Sequence, residues 1–514
     1  MSKTRFSENS KTPPVEIGEP FFVDPQHRNL FQRQWKRSVE GLELAQGGKP
    51  LRWALNTAPN PAVLYDAVTD LGLLPVFNFS ATSYYARQGL LLPLEQYFPN
   101  YDTQFMDLGW RKGAVGGHFY SVPLHLSVRL LFYRKDLLKK YGLQPPLTWA
   151  EMEEQAAIIR KGEKDPRLHG LVFNFNPLLR FSIFLDQVWS QGKDLYESTP
   201  RWRMDRKGVE SAIVRLKGFF AKELTPREAE TSDYFWSYKE FLAGHSVFLH
   251  NWSDGIRMIR ELPPKEQARF GWCLTPCANA KVPGRALVGG PSYVIPKNTR
   301  NPKAAGRLLQ QFFKPEFQSW YARHLGWPFP GLTDVYYDTK VIEARPYLAD
   351  AESLLANGKL LEECVYLQQH HLDWQSIGSQ EISYYLEGRA SSSETVQRME
   401  KRFAPLLPQP PYSGHTGRAL EVIQANVDHA LTVAEVAKRL QVSPEHLSRV
   451  FHAQTGVTLQ HQIQGAKIER AKMLLKQSQL SVADVAYRLG FKTPQHFSRL
   501  FHQMVKRSPR EYRA

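Results

Sequence analysis

LTVAEVAKRLQVSPEHLSRVFH, residues 431–452, is nearly repeated as LSVADVAYRLGFKTPQHFSRLFH at residues 480–502. In each copy, apolar residues recur at helical spacing and are followed by a Ser or Thr and then a Pro. A hydroxyl residue directly before Pro is a typical helix start, because the hydroxyl caps the helix and Pro suits its first position. Each copy therefore predicts two helices joined by a short turn, in units at about residues 431–454 and 480–505.

The second helix of each unit is predicted to be amphipathic. Leu447, Val450 and Phe451 fall on one side of the first copy, and polar residues fall on the other. A short turn followed by a helix with a polar outer face is typical of helix-turn-helix units, which place that helix in the major groove of DNA. Residues 459–476 are predicted to form a helix that fixes the two units relative to each other.

Residues 418–514 resemble the DNA-binding domain of the AraC/XylS family of transcription regulators. The resemblance rests on the repeat, on the connecting stretch IERAKMLLKQS (468–478) and on GFKTPQHFSRLFHQMVKRSPREYR (490–513). It implies that double-stranded DNA is bound and that six residues contact bases: Glu445, Ser448, Arg449, Gln495, Ser498 and Arg499. Arg suits the guanine edge and Gln the adenine edge. Pro494 departs from the family pattern, which often has a polar residue there.

The charge distribution also favours a polyanionic partner. The chain has a formal net charge of +16, and the stretch from Tyr412 to Ala514 holds 15 Lys and Arg against 7 Asp and Glu. Half of the excess charge thus lies in the last fifth of the chain, where the repeat lies. The histidines of this region recur at matching positions of the two copies, so common descent explains them and no metal site is expected.

A stretch rich in Pro and Gly separates residues 418–514 from the rest of the chain. PLLPQPPYSGHTG, residues 405–417, is predicted to be a linker because Pro and Gly interrupt regular structure. Residues 1–17 are predicted to be a disordered tail and residues 18–404 an α/β domain. Strands are predicted at 19–24, 51–55 and 73–80 and helices at 28–46 and 61–72. This alternation favours a largely parallel sheet.

Residues 18–407 resemble the extracellular solute-binding proteins (family 1) of sugar ABC transporters. The motifs are GGHFYSVPLHLSVRLLFYRKDLLKKYGLQPPLTWAEM (116–152), FLAGHSVFLHNWSD (241–254) and VGGPSYVIPKNTRNPKAA (288–305). The resemblance implies two α/β lobes that close on a small ligand, a sugar or oligosaccharide. Aromatic rings stack on sugars and polar groups bind hydroxyls. The candidate ligand-binding residues are Asn78, Phe79, Tyr84, His125, Phe175, Trp236, Trp252, Asp254 and Tyr293.

The combination predicts a ligand-responsive transcription regulator, most naturally an activator of carbohydrate uptake or breakdown genes. We expect RNA polymerase as a partner and a homodimer on paired DNA sites. In the alternative, the α/β domain binds a protein, such as a transporter component, rather than a sugar. Export signals, typical of the solute-binding family, and membrane-spanning runs are not found, so a cytoplasmic location without membrane attachment is expected.

An enzymatic role is not expected. The chain has no Walker-type phosphate loop, no GxGxxG after a strand, no HExxH and no GxSxG, and no cofactor is predicted. Cys273, Cys277 and Cys364 are expected to be buried free thiols, because an odd number of cysteines is a poor disulfide framework. Trp149 and Trp189 are assigned to the core.

Overall fold

The computed structural model of the 514-residue chain describes residues 16–18, 52–54, 71–76 and 81–513, the last with gaps at 198–201, 234, 282–284, 300–301, 326–328, 356–357, 361–363, 365–366, 368–369, 408–413, 456, 478–479 and 506. Contacts divide the chain into two compact units. The first unit extends to Leu195 and resumes over Arg206–Leu406, and the second holds Tyr196–Asp205 and Leu407 onward. The predicted strand at 19–24 and the predicted helix at 28–46 lie outside the described residues.

The strands are β1 Glu16–Gly18, β2 Arg52–Ala54, β3 Leu71–Val76, β4 Ala114–Val115, β5 His118–Phe119, β6 Ser121–Pro123, β7 His125–Arg134, β8 His169–Val172, β9 Tyr196–Glu197, β10 Arg203–Met204, β11 Ser246–Trp252, β12 Phe270–Leu274, β13 Ala286–Gly289, β14 Ser292–Val294, β15 Phe329–Pro330 and β16 Gly358–Leu360.

The helices of the first unit are α1 Ala81–Arg87, α2 Tyr101–Gln104, α3 Asp107–Gly113, α4 Lys135–Lys140, α5 Trp149–Glu163, α6 Arg180–Trp189, α7 Arg206–Ala221, α8 Trp236–Leu242, α9 Asp254–Arg260, α10 Pro264–Gln267, α11 Pro302–Phe312, α12 Pro315–Leu325, α13 Thr339–Ala344, α14 Ala351–Leu355, α15 His371–Leu386 and α16 Ser392–Phe403. Those of the second unit are α17 Gly414–Ala425, α18 Val433–Arg439, α19 Pro444–Thr455, α20 Leu459–Gln477, α21 Val482–Arg488, α22 Pro494–Val505 and α23 Pro509–Arg513. Short 3-10 helices lie at Arg227–Glu230, Thr333–Tyr337, Pro346–Asp350 and Ala404–Leu406.

The first lobe is built on a five-stranded sheet of order β2-β1-β3-β14-β6. β1 pairs in parallel with β2 and β3, whereas β14 pairs antiparallel with both β3 and β6. The prediction of a largely parallel sheet is thus corrected to a mixed sheet, because β14 enters it in the opposite direction. Two boundaries also change: β1 begins at Glu16, inside the predicted tail, and β3 begins at Leu71, inside the predicted helix.

The second lobe is built on a seven-stranded sheet around the ten-residue strand β7. β7 pairs antiparallel with β11, β12, β13 and β15 along its length, and β8 and β16 complete the sheet through parallel pairs. Leu126, Val128, Leu130 and Phe132 form one apolar face of β7, whereas the opposite face includes His125, Ser127 and Arg129, which are also buried. Both lobes share one continuous apolar core.

Two chain segments pass side by side from one lobe to the other. Leu124 links β6 to β7, and Gly290 with Pro291 links β13 to β14. The amide of Leu124 donates to the carbonyl of Pro291 at 2.9 Å. Gly290 has φ +115°, and a Cβ at this position would overlap the carbonyl oxygen of His125. The two segments therefore pack backbone to backbone at the boundary between the lobes.

The assignment of two tryptophans to the core is confirmed, since Trp149 and Trp189 are 1% and 0% exposed. The three cysteines are free, but only Cys364 is buried. Cys273 and Cys277 are partly exposed, which corrects the expectation of buried thiols. Among the described residues, no helix is long and apolar enough to cross a membrane.

Where its residues are described, the second unit is helical apart from the short β9–β10 hairpin. The predicted linker at 405–417 is corrected at both ends. Ala404–Leu406 forms a 3-10 helix, and α17 begins at Gly414. Thr416 and Ala419 are fully buried, so the first turn of α17 is already part of the packed unit.

Candidate DNA interface and ligand site

Both helix-turn-helix units begin with the same local chemistry. Thr432 and Ser481 precede α18 and α21, and each side chain accepts a hydrogen bond from the backbone N–H three residues later. The acidic residues at those positions, Glu435 and Asp484, bond back to the cap in return. Such reciprocal capping satisfies backbone N–H groups that a helix start leaves without partners.

The second helices start as the sequence predicts. Ser443 Oγ and Thr493 Oγ1 each accept a hydrogen bond at 3.2 Å, from the backbone amides of His446 and His496 respectively. α19 and α22 then begin at the prolines, Pro444 and Pro494. The two copies of the repeat therefore form two copies of one structure.

The six candidate base-contacting residues lie on the outer faces of α19 and α22. Glu445, Arg449, Gln495 and Arg499 are exposed, and Ser448 and Ser498 are partly exposed. Residues three and four apart share one side of a helix, so each unit presents one polar face. The opposite sides are anchored by phenylalanines, which are 0% exposed in both units. This arrangement leaves two matched polar faces available to a partner.

Four of the candidate ligand-binding residues meet at the carboxyl edge of the second lobe's sheet. Trp252 ends β11, Asp254 begins α9, and Phe175 follows β8, the parallel neighbour of β11. Trp236 begins α8, which is tied to β11 by two hydrogen bonds: Asn251 Nδ2 to Ser237 Oγ at 2.9 Å, and Tyr238 OH to the Trp252 carbonyl at 3.0 Å. Ligands of open α/β sheets bind at the carboxyl ends of strands.

The burial of these residues differs. Asp254 and Trp236 are partly exposed, Trp252 is 5% exposed, and Phe175 is 0% exposed among the rings of Phe173 and Phe220. Asp254 and Trp236 therefore offer polar and aromatic surface, whereas Phe175 supports the edge from within the core.

The remaining candidates belong to the first lobe and the lobe boundary. His125 is the first residue of β7 and is 1% exposed. Tyr84 lies on α1, partly buried, with its ring edge-on to Tyr85 at 5.6 Å. Tyr293 in β14 is 1% exposed and stacks on Phe312 at 5.0 Å, so its ring fills the core. Asn78 and Phe79 lie outside the described residues.

A buried ion pair lies beneath this edge and was missed by the sequence analysis. Arg129 in β7 and Asp186 in α6 are 1% and 0% exposed and form a salt bridge. Arg129 also donates to Ser182 Oγ at 2.8 Å, and its guanidinium lies 4.6 Å from the ring centroid of Trp252. The sequence signal that could have marked it is Arg129 standing as the one charged residue of VRLLF (128–132), among apolar neighbours.

The ion pair connects β7 and β13, the two strands of the second lobe that lead into the segments passing between the lobes. Arg129 belongs to β7, and the Asp186 carboxylate accepts a second hydrogen bond, at 3.1 Å, from the amide of Leu287 in β13. The Arg129 carbonyl in turn accepts from Thr275 Oγ1 at 2.9 Å. The ion pair, the ring of Trp252 and the backbone of β7 and β13 therefore belong to one network of contacts.

Comparison with known proteins assigns the first unit. Residues 67–350, more than half of the chain, match the family described as bacterial extracellular solute-binding protein. The chain belongs to the bacterial extracellular solute-binding protein family. Maltose-bound MalE3 from T. maritima has a similar fold, with a TM-score of 0.65 at 20% identity, over 77% of this chain and 100% of that one.

Two curated relatives match different parts of this chain. A probable ABC transporter-binding protein of Deinococcus radiodurans is 24% identical over 253 residues, which are 48% of this chain and 59% of the relative. The transcriptional activator RhaS of Shigella boydii is 41% identical over 78 residues, which are 15% of this chain and 28% of RhaS. The chain therefore spans less than two thirds of each.

The carboxyl-terminal part of the chain matches a second family. Residues 436–514 match the helix-turn-helix domain family, and together with the likeness to RhaS this makes the segment an AraC-type helix-turn-helix domain. The predicted architecture, a two-lobed α/β domain followed by an all-α double helix-turn-helix domain, is confirmed. Neither matched family is a family of enzymes.

Proposed function

We propose that this protein is a carbohydrate-responsive transcription regulator that binds specific double-stranded DNA sequences. One observation carries the proposal: two matched polar helix faces, on α19 and α22, occur in the same chain as a solute-binding fold. The AraC-type domain supplies two helices for two major-groove sites, and the relatives named as transcription regulators support this use.

The ligand is proposed to be a sugar or oligosaccharide bound at the carboxyl edge of the second lobe. Trp236 offers an aromatic surface and Asp254 a carboxylate, the two kinds of group that sugar recognition uses. Tyr84 and His125 are proposed to complete the site from the other side. A ligand shifts a conformational equilibrium only by binding its two states differently. The proposed response therefore requires lobe closure on the ligand to alter DNA binding.

We further propose that the protein activates genes for carbohydrate uptake or breakdown, with RNA polymerase as its partner and a homodimer as its DNA-bound form. The likeness to RhaS, a protein named as a transcriptional activator, supports the direction of control.

A thermal-shift screen of the full-length protein against mono- and oligosaccharides and their phosphates tests the ligand. A specific, saturable rise in melting temperature is expected, because a ligand that binds only the folded form stabilises it by mass action. The Asp254→Asn variant should shift the half-saturating concentration of the same sugar upward. A panel without any specific rise would overturn the carbohydrate proposal and favour the alternative, a protein partner such as a transporter component.

The DNA contacts are tested by replacing Arg449 or Arg499 with Ala. Each change is expected to weaken binding to a selected duplex by about 1–3 kcal/mol and to relax the preference at one base position, because each guanidinium would bind one guanine edge. Competition binding with duplexes substituted at single positions measures both effects. Uniform weakening across all sequences would instead assign the two arginines to phosphate contacts.

A further inference from the structure

The two helix-turn-helix units have separate apolar cores that share one helix. α20 contributes Leu459 and Ile463 to the core of the first unit, and Ile468 and Leu475 to the core of the second. Long helices bend, so a single shared helix would leave the angle between the two units variable. A defined angle requires a second connection between them.

That second connection is the junction loop, defined here as residues 426–430 between α17 and α18. Asp428 in this loop accepts two hydrogen bonds from Arg470 of α20, from Nε at 2.8 Å and from Nη2 at 3.0 Å. A paired arginine–carboxylate contact fixes direction as well as distance. Hydrogen bonding to Arg470 holds the pKa of Asp428 below its usual range, so both partners are charged at neutral pH.

The junction loop also contacts the turn of the second unit. Gly490, between α21 and α22, has φ +71°, and a Cβ on it would overlap the backbone of Ala430 and His429. The matching residue of the first copy, Gln441, has φ +57° and carries a full side chain. Positive φ is therefore tolerated without glycine in this turn. Close approach of the junction loop is what requires glycine in the second copy.

A third group spans the same boundary. Lys467 of α20 is 7% exposed, and its Nζ lies 5.3 Å from the ring centroid of Phe491, in the turn of the second unit. Burial lowers the pKa of Lys467, and the nearby carboxylate of Glu435 in the first unit opposes that change. One partly desolvated cation thus interacts with both units.

We propose that the junction loop, through the Asp428–Arg470 pair, holds the two recognition helices at a single separation, so that the protein binds only DNA whose two half-sites have one spacing. This inference rests on the proposed DNA-binding function. Asp428 and Arg470 act as positioning residues, since neither lies on the outer face of α19 or α22. The partner is one duplex bearing both half-sites on one face.

The geometry of DNA explains why two recognition helices at a fixed separation would select one half-site spacing. Insertion of one base pair moves a half-site by about 3.4 Å along the helix axis and rotates it by roughly 35°. A pair of helices locked at two points cannot follow this rotation without breaking a contact. A pair joined only through α20 could follow it by bending that helix.

The test uses the full-length protein and a pool of random-sequence duplex DNA. Selection with the wild-type chain is expected to yield two sequence motifs at one spacing, and one inserted base pair should weaken binding by about tenfold or more. In Asp428→Asn and Arg470→Ala, that penalty should fall to about threefold or less. The charge-swapped double variant, Asp428→Arg with Arg470→Asp, should restore part of the penalty.

Glu469→Ala is the matched control, because it removes the ion pair of Glu469 with Lys472 (2.7 Å), which lies on the exposed side of the same helix. It should retain the wild-type penalty. Positioning variants that weaken all spacings equally, or a wild-type protein indifferent to the insertion, would overturn the proposal. Selection of no common sequence by the wild type would instead overturn the DNA-binding function itself. Thermal unfolding of each variant identifies any that fail to fold. If a single variant does not fold, the spacing penalty of the charge-swapped double variant tests the proposal in its place.

Discussion

Replacing Arg129 by Leu is expected to lower the free energy of unfolding of the solute-binding unit by about 3–5 kcal/mol. The change leaves the Asp186 carboxylate in the core without its counter-charge, and it removes the cation from beside Trp252. Urea denaturation of the full-length protein, followed by tryptophan fluorescence, measures the loss. All 12 tryptophans lie before residue 375, so the signal comes from outside the helix-turn-helix domain.

Arg206→Leu is the matched control. It removes an ion pair with Glu400 in which the arginine side chain is 63% exposed. Exposed pairs contribute about 0–1 kcal/mol, so this variant should remain close to wild type. Equal stabilities of the Arg129 and Arg206 variants would show that the buried pair adds no more than a surface pair.

The cost of Arg129→Leu should also depend on pH. Burial raises the pKa of Asp186, and the Arg129 guanidinium opposes that rise, so the variant should have a still higher pKa in the folded state. A carboxyl whose pKa is higher folded than unfolded stabilises the fold at low pH, and that stability is lost as pH rises. The deficit of the variant relative to wild type should therefore shrink from pH 7 toward pH 5. A constant deficit would contradict a buried charge as its cause.

The second large effect is expected for Gly290→Ala, which should lower the free energy of unfolding by about 2–5 kcal/mol. Positive φ costs a residue with a Cβ about 1–2 kcal/mol. Overlap with the His125 carbonyl adds about 1–3 kcal/mol, because neither backbone segment yields without disturbing the strands on both sides. The same urea titration measures this loss.

Gly116→Ala separates the two contributions. Gly116 has φ +60°, and a Cβ there meets no atom within 4 Å, so only the backbone angle is penalised. Gly290→Ala should be the more destabilising by the cost of the overlap. If the two variants were equally stable, the close packing of the two crossing segments would not contribute to the stability of this unit.

The parts of the fold that local chemistry determines were predictable. The starts of α19 and α22 follow from a hydroxyl residue before Pro444 and Pro494, and the helix at 459–476 differs from α20 by one residue. The polar faces of these helices also follow from residue spacing alone. Capping and periodicity depend on residues only a few positions apart, so the local sequence is sufficient to predict where these helices start and which side is polar.

Long-range pairing was not predictable in the same way. Arg129 and Asp186 are 57 residues apart, and the close approach of Ala430 to Gly490 joins the junction loop to the second copy of the repeat. Nothing in the local pattern pairs one charge or one glycine with a distant partner. The predicted linker was too long at both ends because composition counts Pro405 and Gly414 as breakers, whereas Ala404–Leu406 forms a 3-10 helix and α17 begins at Gly414.

The position of β14 has a consequence for how the chain folds as it is synthesised. β14 lies between β3 and β6, yet it is translated roughly 170 residues after β6, which takes on the order of 10–30 s at ribosomal speed. During that interval the facing edges of β3 and β6 lack the strand that joins them in the sheet. Unpaired strand edges are sites of aggregation. Slower translation before residue 292 should thus lengthen the time in which nascent chains depend on chaperones.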